Sequence, residues 1–136
     1  MGGVPGPRWS VVIPAYNEAA RLPSYLKEIQ AYFEGRDESY EVIVVDDGSQ
    51  DGTADRVREV AAGRTGVTVH ALGRNRGKGH AVRAGMARAG GRLRLTIAAR
   101  ALAAASFISS LTRRARTSSM PRKNPGKQQE LLIWFG

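Results

Sequence analysis

Tyr40 to Gly52 reads YEVIVVDDGSQDG, and this stretch decides the fold. Val42-Ile43-Val44-Val45 is an apolar run too short for a helix. An unalternated run of this kind is a strand buried on both faces, as in a parallel sheet. It ends in two adjacent carboxylates, Asp46 and Asp47, followed by turn residues. Burying both unpaired would cost several kcal/mol, so the pair is expected at the exposed carboxyl end of the strand. Open α/β sheets bind their ligands at that edge.

Working outward, Ser10 to Ala15 (SVVIPA) reads as a second buried strand, with Pro14 marking its end because proline cannot donate to a central ladder. Leu22, Tyr25, Leu26, Ile29 and Phe33 fall on one face of a helix over 21–33, and Pro23 suits its first turn. After the central strand, Ser49 or Asp51 can cap a helix running to about Ala62. Val67 to Leu72 alternates as a third strand, and Gly73 to His80 (GRNRGKGH) is a basic, glycine-rich loop. A small-residue helix over 81–89 follows, and 92–96 begins a fourth strand. Strands alternating with helices predict a parallel α/β sheet with right-handed crossovers.

Charge divides the chain. Residues 1–90 hold 12 Lys/Arg and 11 Asp/Glu, a net of +1, whereas residues 91–136 hold 9 Lys/Arg and one acidic residue, Glu130. The overall net charge of +9 therefore belongs to the end of the chain, and the first two-thirds has the balance of an enzyme domain. With no cysteine there is no disulfide and no thiolate metal site. No apolar stretch is long enough to span a membrane, and the first residues lack the apolar core of a signal peptide. From about Ala98 the sequence turns alanine-rich, then Ser/Arg/Thr-rich, and closes on LLIWFG. The reading is three parts: 1–8 a disordered lead-in, 9–96 a folded domain, and 97–136 a basic low-complexity tail expected to be disordered. A short helix is possible around Ala98 to Ser110.

Three loops leave the carboxyl ends of three strands: Pro14 to Glu18 (PAYNE), Asp46 to Gly52, and GRNRGKGH. The first two supply carboxylates and an aromatic face, which can hold a base and a ribose. The third supplies Arg74, Arg76 and Lys78 with glycine N–H groups, which can hold phosphates. Walker A chemistry is excluded, because Gly73 and Gly77 enclose three residues and Lys78 is followed by Gly79. The dinucleotide fingerprint fails as well, since Val82 stands where its third glycine belongs. His70 and His80 have no metal-ligand partner at useful spacing and read as structural.

SVVIPAYNE, YEVIVVDDGSQDGT and NRGKGHAVRAGM, in that order and spacing, resemble the amino-terminal half of a family-2 glycosyltransferase. NRGKGHAVRAGM and the early Arg21-Leu22-Pro23 are most similar to the dolichyl-phosphate β-glucosyltransferase branch. The resemblance covers about residues 9–95. It implies a Rossmann-like GT-A core that binds a nucleotide-sugar, here truncated and followed by the divergent basic tail. The implied activity is transfer of glucose from UDP-glucose to a lipid phosphate such as dolichyl phosphate. Family members use Mg²⁺ or Mn²⁺ and act at the cytoplasmic face of a membrane, the endoplasmic reticulum in eukaryotes.

Carried over by position, Pro14, Tyr16 and Glu18 line the nucleoside pocket, with Tyr16 stacked on the base. Asp47 bonds the base or ribose with Asp46 beside it, and Arg76 and Lys78 lie near the base or diphosphate. The family's acidic D-x-D motif, which holds the metal, should fall near Ala98 to Leu102, where this chain has AARAL, and no Asp follows Asp55. The catalytic base of the family has no counterpart either. Two other readings follow. One is a catalytically inactive nucleotide-binding fragment. The other is a binder of nucleic acid or anionic membrane through the basic tail, disfavoured for nucleic acid by the lack of interleaved aromatics. The break in composition near Leu95 predicts a tail derived from a truncated, alternatively spliced or frame-shifted reading.

Overall fold

The computed structural model describes residues 6–64 and 66–97; the remaining stretches, including Ala98 to Leu102, the possible helix near Ala98 to Ser110 and the terminal LLIWFG, lie outside the described residues. Seven elements alternate: β1 (Trp9–Ala15), α1 (Leu22–Glu34), β2 (Tyr40–Asp46), α2 (Thr53–Ala61), β3 (Val67–Ala71), α3 (Lys78–Arg88) and β4 (Leu93–Thr96). The sheet has the order β3-β2-β1-β4, and every pairing is parallel. The chain thus steps outward from β1 through β2 to β3, then crosses back to place β4 on the other side of β1. That reversal makes the carboxyl edge beside β1 the topological switch point, the place where such sheets open a crevice.

Both sheet faces are covered, which is why β2 reads as a continuous apolar run. On one face Val11, Ile13, Val42 and Val44 pack against Leu22, Leu26, Ile29 and Phe33 of α1 and Val57 of α2. Each of these large side chains contributes on the order of 1.5–3 kcal/mol by leaving water. On the other face Val12, Ile43 and Val45 meet Ala81 in the first turn of α3 and Ala89 just past its end. Here α3 lies so close that a Cβ at Gly85 would sit 2.3 Å from Cγ1 of Val12. The small residues of this helix are a packing requirement of the sheet.

Pro14 does not end β1: it lies opposite Val45, and Ala15 pairs with Asp46 beyond it. The reason is the alternation of backbone direction. Arg8 and Val12 turn their carbonyls to β4, accepting from Leu93 and Ile97. Pro14 belongs to that same set, and its missing N–H falls past the last rung, Val12 with Thr96. The β2 side, served by the odd-numbered residues, is untouched; Ala15 accepts there from the Asp47 N–H at 2.9 Å.

Two further boundaries differ from expectation. The helix α3 begins at Lys78, so the basic loop is shorter than GRNRGKGH, ending at Gly77, whose φ of 95° suits glycine alone. At α2 the residue before the helix is Gly52 rather than Ser49 or Asp51, yet Asp51 Oδ1 still accepts the Thr53 N–H at 3.0 Å from one position further out. Arg8 is tied to Ser39 and to Leu93 through its backbone.

Candidate functional site

The loops following β1, β2 and β3 meet at the carboxyl edge. Asp46 and Asp47 stand there, but they are 5% and 4% exposed rather than open to solvent. Burial is tolerated because each carboxylate is met by backbone donors. Asp46 Oδ1 accepts the Ser49 N–H at 3.2 Å. Asp47 Oδ1 and Oδ2 accept the N–H groups of Arg76 at 2.7 Å and Gly77 at 3.1 Å. Charge-assisted bonds of this kind are the stronger class, and here they fasten the basic loop to the strand that precedes it by thirty residues. The two loops also touch through backbone. Gly48 has φ 76°, and a Cβ on it would lie 2.4 Å from the Arg74 carbonyl carbon and the Asn75 nitrogen.

The first loop is fastened to the second in the same way. Asn17 donates its N–H to Ser49 Oγ at 2.8 Å, and its Oδ1 accepts from Gln50 at 3.0 Å. Glu18 N–H donates to Thr53 Oγ1 at 3.0 Å, and Ala19 N–H to Asp51 Oδ2 at 3.1 Å. The Thr53 hydroxyl, fully buried, donates in turn to Asp51 Oδ1. Desolvation pushes the Asp51 carboxyl up, but the Thr53 hydroxyl and the N–H groups of Ala19 and Thr53 outweigh it and hold the pKa below the usual carboxylate value.

The carried-over residues separate into two groups. Pro14, Glu18, Asp46 and Asp47 are buried in the base of the site, and Tyr16, Arg76 and Lys78 are exposed at its rim. Tyr16, 45% exposed, is the one large hydrophobic side chain left in solvent among the described residues. Glu18 is 4% exposed, and Arg21 grips its carboxylate with two hydrogen bonds of 3.0 Å. Arg21, Ser49, Asp51 and Thr53 thus build the site without having been singled out as site residues. The i, i+3 spacing of Glu18 and Arg21 and the alternation of Ser49, Asp51 and Thr53 were the available signals.

From Val60 to Ile97 the sequence carries no acidic residue, so the third loop and α3 bring only positive charge to the edge where Asp46 and Asp47 lie. No group of three His, Cys, Asp or Glu side chains that could hold a metal occurs among the described residues. The oxygens of Asp47 are both engaged by backbone N–H groups. These residues alone do not fit a divalent cation. No helix among the described residues is long and apolar enough to cross a membrane.

Among relatives of known function, the chain is 49% identical over 90 residues to dolichyl-phosphate β-glucosyltransferase of Drosophila melanogaster, covering 61% of this chain and 28% of that protein. It is 44% identical over 89 residues to the Homo sapiens protein of the same name, covering 60% and 28%. With undecaprenyl-phosphate 4-deoxy-4-formamido-L-arabinose transferase of Aeromonas hydrophila it shares 43% over 89 residues, covering 65% and 27%. The chain therefore spans little more than a quarter of the length of these relatives. Among solved structures it superposes on a mannosyltransferase from Pyrobaculum calidifontis in complex with GDP-Man and Mn²⁺, with a TM-score of 0.67 and 32% identity over 79% of this chain and 32% of that one. S. aureus TarS in complex with UDP-GlcNAc shares the fold, at a TM-score of 0.61 and 22% identity over 78% of this chain and 30% of that one. The family model for glycosyl transferase family 2 matches residues 10–115, taking in all three loops and running past residue 96. Across that span, with its parallel sheet forming a GT-A core, the chain belongs to glycosyl transferase family 2.

Proposed function

We propose that this chain binds a nucleotide-sugar at the carboxyl edge and represents the donor half of a hexosyltransferase. The donor is UDP-glucose, and the lineage acceptor is a polyprenyl phosphate of the dolichyl type. The observation that carries the reading is the convergence of the three loops on Asp47, with Tyr16 left exposed at their rim. Supporting it, the relatives' names specify polyprenyl-phosphate acceptors, glucose transfer among them, and the Pyrobaculum neighbour holds a nucleotide-sugar.

On this reading Tyr16 stacks on the base, and Asp47 and Asp46 face the base and ribose. Arg76 and Lys78 lie near the base or the diphosphate. Glu18 and Pro14 shape the floor, Glu18 through its grip on Arg21. Residues 9–96 carry this donor-binding unit.

The chain itself binds without transferring. Transfer requires that the leaving diphosphate be neutralised, the task a metal performs in such enzymes. The stretch where the family places its metal carboxylates is AARAL in this chain, and no Asp follows Asp55.

Calorimetric titration with UDP-glucose, with and without Mn²⁺, tests both halves of the proposal. Binding that is indifferent to Mn²⁺ and weakened by Tyr16→Ala is the expected result. Binding that requires Mn²⁺ would overturn the non-transferring reading and call for a transfer assay. A folded chain that binds no nucleotide-sugar would reduce the family relationship to ancestry.

A further inference from the structure

Tyr16 is 45% exposed, so packing covers only part of the side chain, yet stacking needs a fixed direction. The backbone that follows it is pinned in place. Three consecutive residues there, Asn17, Glu18 and Ala19, each donate their N–H to a side chain of the next loop, respectively Ser49, Thr53 and Asp51. Asn17 closes the set in the other sense by accepting from Gln50. Asn17 also has φ 52°, a left-handed conformation that asparagine tolerates better than most residues and that turns the chain sharply just after Tyr16.

We propose that Asn17, with Ser49 and Thr53, forms a latch between the first two loops that sets the Tyr16 ring over the carboxyl edge. Asn17 is a positioning residue for nucleotide binding and touches no ligand. The inference rests on the donor-site reading above and adds to it how the one exposed aromatic among the described residues is aimed. Two properties of Asn17 are required together. Its side chain must offer an acceptor to Gln50, and its backbone must accept a left-handed turn. Asp supplies both, Gly only the second, and Ala neither. Thr53 contributes a fully committed hydroxyl, accepting from Glu18 and donating to Asp51, so valine in its place breaks two links at once.

The experiment is a double-mutant cycle on UDP-glucose affinity, joined to amide hydrogen exchange of the unliganded chain. Asn17→Ala is expected to weaken binding about tenfold, the scale of one lost base–aromatic stack. Asn17→Asp is expected to stay within about threefold of the parent, on the reasoning that it keeps both properties. In a Tyr16→Ala background, Asn17→Ala is expected to cost nothing further, because two residues acting through one contact are not additive. In exchange, the Gln50 amide is expected to lose protection in Asn17→Ala and keep it in Asn17→Asp.

Additive losses in a chain that binds UDP-glucose would overturn the positioning role and leave the donor site standing. An unprotected Gln50 amide in the parent would overturn the latch itself. A parent that binds no UDP-glucose while its latch amides are protected would overturn the donor-site reading, and the positioning role with it.

Discussion

The two edges of the sheet are built from the same parts and end differently. At the amino edge, Ser10 donates to Glu41, Glu41 accepts the Gly90 N–H at 2.7 Å, and Ser10 Oγ accepts the Gly91 N–H at 2.8 Å. A carboxylate on β2 thus ties down a distant glycine-containing loop, as Asp47 does at the carboxyl edge. There the resemblance stops. The aromatic rings near the amino edge are spent on one another, Phe33 stacking on Tyr40 with centroids 5.0 Å apart and meeting Trp9 in a tilted pair at 6.0 Å. At the carboxyl edge Tyr16, Arg76 and Lys78 are all left exposed. A satisfied polar network is therefore scaffolding at both ends. What marks one end as a site is the set of groups the network holds out to solvent.

The comparison breaks most sharply at the two glycines. Gly48→Ala sets a Cβ 2.4 Å from the backbone of Arg74 and Asn75 at a φ of 76°, and Gly91→Ala sets one 2.6 Å from Ser10 Oγ. Each is expected to cost about 3 kcal/mol or more in denaturant unfolding, since backbone must move to make room. They should part in calorimetry at a temperature where both remain folded. Gly48→Ala is expected to lose UDP-glucose binding as well, whereas Gly91→Ala should bind like the parent. Equal affinity in the two would mean that the loop contact at Gly48 is scaffolding only.

The carboxylates give the next largest effect. Asp47→Ala strands the Arg76 N–H, which costs about 1–3 kcal/mol if water does not reach it, whereas the Gly77 N–H keeps Asn75 Oδ1 as an acceptor at 3.1 Å. Glu41→Ala removes the acceptor of both the buried Ser10 hydroxyl and the Gly90 N–H at the other edge and is expected to cost about 1–3 kcal/mol for each one that water does not reach. Only the first should weaken nucleotide binding. Tyr16→Ala inverts the pattern: stability should stay within about 0.5 kcal/mol because the ring is exposed, while affinity falls about tenfold.

The element order and both faces of the sheet were legible because burial imposes a period. Val42 to Val45 reads as a strand covered on both sides, and Leu22, Leu26, Ile29 and Phe33 as a helix stripe, whatever the rest of the chain does. Asp46 and Asp47 were legible as a site because two carboxylates closing such a run need an explanation. The burial of Asp47 was not, since it depends on N–H groups about thirty residues away. The same is true of the latch and of the amino edge. Ser10 and Glu41 look like ordinary strand residues, and their pairing follows from a parallel register that sets one beside the other. Pro14 shows the limit from the other side. Its effect on β1 depends on which neighbour its nitrogen faces, and the order β2-β1-β4 decides that.

The smallest effect expected is a pH dependence confined to the latch. The Asp51 carboxyl is held below its ordinary value of 3.8 by donors from Ala19 and Thr53 that exist only in the folded chain. The folded state therefore binds this proton less tightly than the unfolded one, and the stabilisation is complete above the unfolded value. It is lost as pH falls through the lower, folded value. Asp51→Asn removes the charge and with it this dependence. The gap in melting temperature between the parent and Asp51→Asn should be constant from about pH 5 to 7, begin to narrow near the unfolded value and close only below the lower, folded one. The amino edge offers a control, since Glu41 and Ser10 share none of these donors, and Asp51→Asn should leave exchange of the Gly90 and Gly91 amides unchanged across the range. A gap that widens on acidification would mean that burial outweighs the hydrogen bonds at Asp51. The loops would then be held chiefly by Asn17 and Ser49.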